Sequence, residues 1–205
     1  MTDIIYFSLI IGLFAWNIYY VFQSRKQNNF VYRVVYFSRH WDWLLAIMLV
    51  AFIISACVLV SAIVPAWMNW SWLSLLGKDS ANANIEIFFI IEKISSAFIF
   101  VLYAFFLFLL PKVAYMEEYI FRRGKNSVRQ VLLSNFIFGM VHCIVGVQLW
   151  VGLVLIVFGL LLSLKYIFEY RKNEDRYDAM LASTSLHGKY NTIVVSLIII
   201  ALMLR

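Results

Sequence analysis

Charged residues are scarce in this sequence. Asp, Glu, Lys and Arg make up 14% of its 205 residues, where a soluble domain carries about 25%. With no low-complexity tract present, a disordered chain is excluded, and a 64% hydrophobic composition excludes an ordinary water-soluble domain. Cysteine is nearly absent: Cys57 and Cys143 lie in separate apolar runs, which argues against a disulfide scaffold and reads both as packing residues. Acid is scarcer than base, with 11 Asp+Glu against 17 Lys+Arg for a net charge of +6. In so apolar a chain that imbalance reads as basic loops kept on the cytoplasmic side, not as a footprint for nucleic acid. The opening MTDIIYFSLIIGLFAW lacks a basic n-region and a small-residue cleavage site, so it reads as a retained first span and not a signal peptide.

Long apolar runs fill the rest, and the mean hydropathy is +0.86. At about 20 apolar residues per crossing, the expected fold is all-α: a polytopic membrane helix bundle of about six to seven transmembrane helices, forming one domain over residues 1–205. The runs are continuous, where barrel strands would alternate in hydrophobicity. Spans are expected at residues 4–22, 43–65, 85–110, 131–147, 149–168 and 179–204, with Trp67, Trp70 and Trp72 as an interfacial belt. The stretch from Ile85 to Arg123 is too long for one crossing: as a single helix it would measure ~58 Å. Either Pro111 kinks it or residues 85–96, with Glu86, Glu92 and Lys93, form a separate short element. Basic residues gather after span one (Arg25, Lys26, Arg33, Arg39), between Pro111 and Gln130 (Lys112, Arg122, Arg123, Lys125, Arg129) and in the charged loop EYRKNEDRYD (Arg171, Lys172, Arg176). The opposite loops hold only Lys78, with Arg205 at the tail. The positive-inside rule then favours six spans with both ends outside.

A charge at mid-bilayer costs about 2.5–3.5 kcal/mol on insertion scales, so hydrophilic residues inside such spans need a reason. Three clusters stand out: Glu117-Glu118-x-x-x-Arg122, Phe138-x-x-x-His142 and His187-x-x-x-Asn191. Glu118 and Arg122 are one turn apart and can pair on one helix face. Glu117, rotated by about 100°, can point elsewhere. His187 and Asn191 share a face and can both reach one substrate oxygen. From the expected cytoplasmic helix ends, Glu117 lies ~9 Å deep, His142 ~16 Å and His187 ~14 Å, depths compatible with one pocket. Amide hydrolysis needs a base on water and donors aimed at the developing oxyanion. A carboxylate, imidazoles and an amide supply these. No serine sits in a G-x-S-x-G setting and neither cysteine has a partner at readable spacing.

EEYIFRRG, FGMVH and HGKYN resemble the EExxxR, FxxxH and HxxxN motifs of the CAAX protease and bacteriocin-processing (CPBP) intramembrane proteases, which include the type II CAAX prenyl endopeptidase. The motif-bearing core covers about residues 98–204; the N-terminal half matches only as generic membrane helices. The resemblance implies an intramembrane endopeptidase acting on a peptide bond of a membrane-associated or small peptide substrate. Glu117 matches the general base, His142 the histidine that helps hold the water, and His187 with Asn191 the oxyanion pair. Glu118 and Arg122 match the supporting part of the first motif and Phe138 the aromatic before the histidine. The expected partners are membrane lipid and a peptide or protein substrate, with prenylation left open. The expected location is an integral multi-pass membrane protein whose active site opens toward the cytoplasm. Two departures, the short gap from Glu117 to His142 and the charged EYRKNEDRYD loop, reshape the cytoplasmic mouth and bear on substrate class.

Two chemistries suit these residues. The first needs no cofactor: Glu117 and His142 activate water directly. In the second, Glu117, His142 and His187 bind Zn²⁺. The metal-free version is favoured, because the chain has no H-E-x-x-H spacing and Asn191 suits an oxyanion donor better than a zinc ligand. Outside enzymes, two readings stand beside it: a catalytically inactive relative acting as membrane scaffold or immunity factor, and a small transporter relaying protons through its carboxylates and histidines. The absence of repeated halves argues against the transporter.

Overall fold

The computed structural model describes residues 30–71, 96–144 and 146–204. The expected first span, Trp72, and Glu86, Glu92 and Lys93 lie outside the described residues, as does residues 85–95 of the alternative short element. Among the described residues the chain is all-helical. Its long helices are α1 (Trp41–Ile63), α2 (Ser96–Phe121), α3 (Val128–Ile144), α4 (Leu149–Asn173) and α5 (Arg176–Met203). Two of these, α1 and α4, are long and apolar enough to cross a membrane. Helix α5 is the hub, packing against α1, α2 and α4, while α3 pairs with α4.

The described part of the basic stretch before α1 is helical over residues 30–37. Residues Arg33–Phe37 form a π-helical turn that buries Val34 and Val35. Val35 is fully buried, and a Cβ added at Gly188 of α5 would lie 2.8 Å from its side chain. The small residue next to His187 is what lets this segment seat against α5.

Helix α2 continues through Pro111 to Phe121. A proline inside a helix has no N–H for the carbonyl four residues back, here Leu107. That carbonyl accepts a hydrogen bond from the Tyr36 hydroxyl, and the next one, Phe108, accepts from Tyr32. Two tyrosines of the preceding turn thus replace the satisfaction the proline removes, and the helix carries the first motif to its C-terminal turn.

Helices α3 and α4 meet at small residues. A Cβ at Gly139 would sit 2.5 Å from the Gly152 carbonyl, so only glycine permits this separation of the two backbones. The α3–α4 turn is tied to the segment after α1: Ser71 Oγ donates to the Gly146 carbonyl at 2.8 Å, and the Leu149 N–H to the Trp70 carbonyl at 3.1 Å. Trp67 and Trp70 are exposed at this pole.

The charged stretch 169–178 is not the loop expected from its composition. Glu169 to Asn173 complete α4, Glu174 takes a left-handed conformation (φ 56°), and Asp175 caps α5 by accepting from the N–H groups of Tyr177 and Asp178. A left-handed residue followed by an Asx cap connects two helices with almost no loop. The charges then face one another across helix ends. Arg39 pairs with Asp178 at 3.2 Å and Glu169 at 3.4 Å, while Lys165 bridges Asp42 and Glu169 at 3.2 Å each. The Lys189 ammonium, fully buried, reaches from mid-α5 to the segment before α1, donating to the Ser38 carbonyl at 2.9 Å and to Ser185 Oγ at 2.6 Å.

Candidate functional site

The last turn of α2, the C-terminal half of α3 and the middle of α5 bring the three motifs together around Phe138. Glu118 is fully buried, and its Oε1 lies 3.4 Å from Arg122 Nη1, the one-turn ion pair the spacing predicts. The same oxygen accepts from His187 Nδ1 at 2.9 Å. Its other oxygen accepts from the Ser183 hydroxyl, which lies one turn before His187 on α5.

Glu117 does not point away from its neighbour's partner. Its side chain is 19% exposed, and its Oε2 lies 3.4 Å from His187 Nε2. One imidazole, 2% exposed, is therefore held between adjacent carboxylates, each at a different ring nitrogen. Consecutive residues on a helix achieve this because Glu118 points inward under α5 while Glu117 reaches around from the helix flank.

Arg122 is anchored independently of Glu118. Its guanidinium carbon sits 4.1 Å from the centre of the Phe138 ring, and Nη2 approaches Asn135 Oδ1 and the Gly159 carbonyl at 3.4 Å each. Asn135 is in turn oriented through Nδ2 by Ser163 Oγ at 2.9 Å and the Val131 carbonyl at 2.8 Å. A Cβ at Gly159 would stand 2.6 Å from Asn135 Oδ1 and 3.0 Å from Arg122 Nη2. That glycine makes the room for the guanidinium.

Phe138 is fully buried and joins the two histidines. Its ring centre is 4.7 Å from that of His142 and 6.0 Å from that of His187, and Phe158 closes the other side of His187 at 5.3 Å. His142 is half-buried, and its Nδ1 is 2.7 Å from the Phe138 carbonyl. A carbonyl only accepts, so Nδ1 carries hydrogen and Nε2 of the neutral ring is left as an acceptor. Asn191, one turn beyond His187, is half-buried and makes no hydrogen bond among the described residues. His187 and Asn191 lie on the same helix, but both nitrogens of His187 already face carboxylates, an arrangement the spacing within α5 did not foreshadow.

The proton inventory limits what this cluster can be. Nδ1 of His187 donates to ionised Glu118. A carboxylate only accepts, so a hydrogen on Nε2 as well would make the ring a cation between two carboxylates.

Among the described residues, no three His, Cys, Asp or Glu side chains come together as metal ligands. The zinc set of Glu117, His142 and His187 therefore is not assembled here. Four polar groups of the cluster were not singled out in the sequence: Ser183, Asn135, Ser163 and the Gly159 carbonyl. Comparison with known proteins adds no relative: no family model, curated protein or solved structure matches the chain.

Proposed function

We propose that this chain is a multi-pass membrane endopeptidase resembling the CPBP proteases, with Glu117 as general base and a water as nucleophile. One observation carries the reading: His187 is clamped between Glu117 and Glu118 while Phe138 links its ring to that of His142. Residues from three motifs far apart in sequence thereby share one cluster. The apolar side chains exposed along α1, among them Ile47, Met48, Phe52 and Leu59, support a lipid surrounding. The basic residues near Arg123, Lys125 and Arg176 support a cytoplasmic opening.

Glu117, partly exposed, takes a proton from water as the oxygen attacks the scissile carbonyl carbon. His142 Nε2 accepts a hydrogen bond from the same water and fixes its position. The oxyanion formed at the carbonyl accepts from His187 Nε2–H and from the Asn191 amide, a stabilisation of the kind that dominates acyl transfer. Glu118, with Arg122 and Ser183 behind it, accepts from Nδ1–H and favours the ring protonated on both nitrogens, so that Nε2–H is there to donate. Glu117 then returns its proton to the departing amine, so water is consumed and an acid and an amine result. Lipid, and a membrane-bound or small peptide substrate, are the partners of this reaction.

The test compares membrane and secreted peptides by mass spectrometry between cells carrying the wild type and Glu117→Gln. Fragments present only with the wild type are expected. Identical peptide sets, with both proteins present at equal level, would favour an inactive scaffold. Exhaustive chelation is expected to leave cleavage unchanged; loss restored by added zinc would replace the metal-free mechanism.

A further inference from the structure

A cavity of about 480 Å³ opens at the basic pole and is lined by Tyr119, Ile120, Arg123, Gly124, Lys125 and Arg176. Three of these six residues are cations and none is an acid. No ion-pair partner is found for Arg123, Lys125 or Arg176 among the described residues, so three like charges converge uncompensated. The backbone that presents them is fixed. Gly124 turns at φ +76°, a conformation that favours glycine, and its N–H donates to the Tyr166 hydroxyl at 2.9 Å. The Arg123 guanidinium lies 4.8 Å from the centre of the Tyr119 ring, which orients its fork. Of the acids next to Arg176 in sequence, Asp175 caps α5 and Asp178 pairs with Arg39, while Glu174 is exposed and forms no ion pair among the described residues.

Mutual repulsion of three cations is relieved by a multiply charged anion, and guanidinium forks match phosphate oxygens. The cavity is larger than a phosphate, and Tyr119 and Ile120 add an apolar wall. We propose that it binds a phosphate ester: Arg123, Lys125 and Arg176 hold the phosphate, and Tyr119 with Ile120 receive the carbon portion. The phosphate has two sources, an anionic lipid headgroup or a soluble phosphate. The site stands apart from the Glu117–His187 cluster and does not depend on peptidase activity.

The experiment uses the full chain in detergent and native mass spectrometry with short-chain phosphatidic acid, short-chain phosphatidylcholine and inorganic phosphate. Phosphatidic acid is expected to bind in preference to phosphatidylcholine. The triple variant Arg123→Gln, Lys125→Gln, Arg176→Gln is expected to weaken it by on the order of 10²-fold, about fivefold per cation. Arg171→Gln with Lys172→Gln, outside the cavity, is expected to change nothing. Competition by millimolar inorganic phosphate identifies a soluble phosphate as the source, and failure to compete identifies the lipid. Equal binding of the two lipids, or undiminished phosphatidic acid binding by a triple variant of unchanged helical content, overturns the proposal.

Discussion

His187 divides the labour of two adjacent glutamates. Glu118 is wholly buried with Arg122, so removing its charge strands a guanidinium in the core, a loss of about 3–5 kcal/mol. Glu117 is partly exposed and approaches the outer nitrogen of His187 at 3.4 Å. Glu118→Gln is therefore expected to lower the melting temperature sharply. Glu117→Gln is expected to keep it within a few degrees while abolishing cleavage; both are read by thermal unfolding in detergent beside a peptide assay. Asn191→Ala is expected to reduce kcat by about 10²–10³, the usual loss for one oxyanion donor, with stability retained because no hydrogen bond among the described residues is broken. At this scale the sequence was most legible where partners are one turn apart, as with Glu118 and Arg122. Ser183 could not be read, since its partner Glu118 is 65 residues away and nothing in a serine's local surroundings announces such a bond. The expectation of one pocket for Glu117 and His187 did not foretell their direct approach at 3.4 Å, for the same reason.

Helices are where local chemistry and packing disagree most plainly. Pro111 marks a kink or a boundary in any reading of sequence alone, yet α2 runs through it because Tyr36 and Tyr32 satisfy the exposed carbonyls from another element. Tyr36→Phe leaves the Leu107 carbonyl without its partner and is expected to cost about 1–3 kcal/mol. Pro111→Ala in that background restores an N–H four residues on, so most of the loss is expected to return. A double-mutant cycle by denaturant unfolding measures this; additive losses would show that the tyrosine does not serve the proline. The apolar runs behind α1, α3, α4 and α5 were legible to within a few residues, since apolar continuity is a local property. The segment 169–178 was not, because its dense charge resembles a loop while Glu174 and Asp175 make a tight helix connection. The Asx cap was the signal available there.

Across the whole molecule, the described helices set two unlike poles at opposite ends of α3 and α4. At one, Ser71 and Trp70 grip the turn around Gly146 and Leu149, with aromatic side chains exposed. At the other, Lys125 and Arg176 face a common cavity, and Arg39 and Lys165 tie neighbouring helices together. Helix α3, with 17 residues, separates these poles by ~25 Å, close to the thickness of a bilayer's hydrocarbon core. If the chain sits in a membrane as proposed, the tryptophan pole and the basic pole meet different aqueous compartments. Single cysteines placed at Asn69 and at Lys125, in a background carrying Cys57→Ala and Cys143→Ala, report this with a membrane-impermeant maleimide on intact cells. Label is expected at position 69 from outside, and at position 125 only after the membrane is opened. Labelling of both from one side would contradict the transverse orientation and, with it, the placing of Glu117 beneath a cytoplasmic mouth.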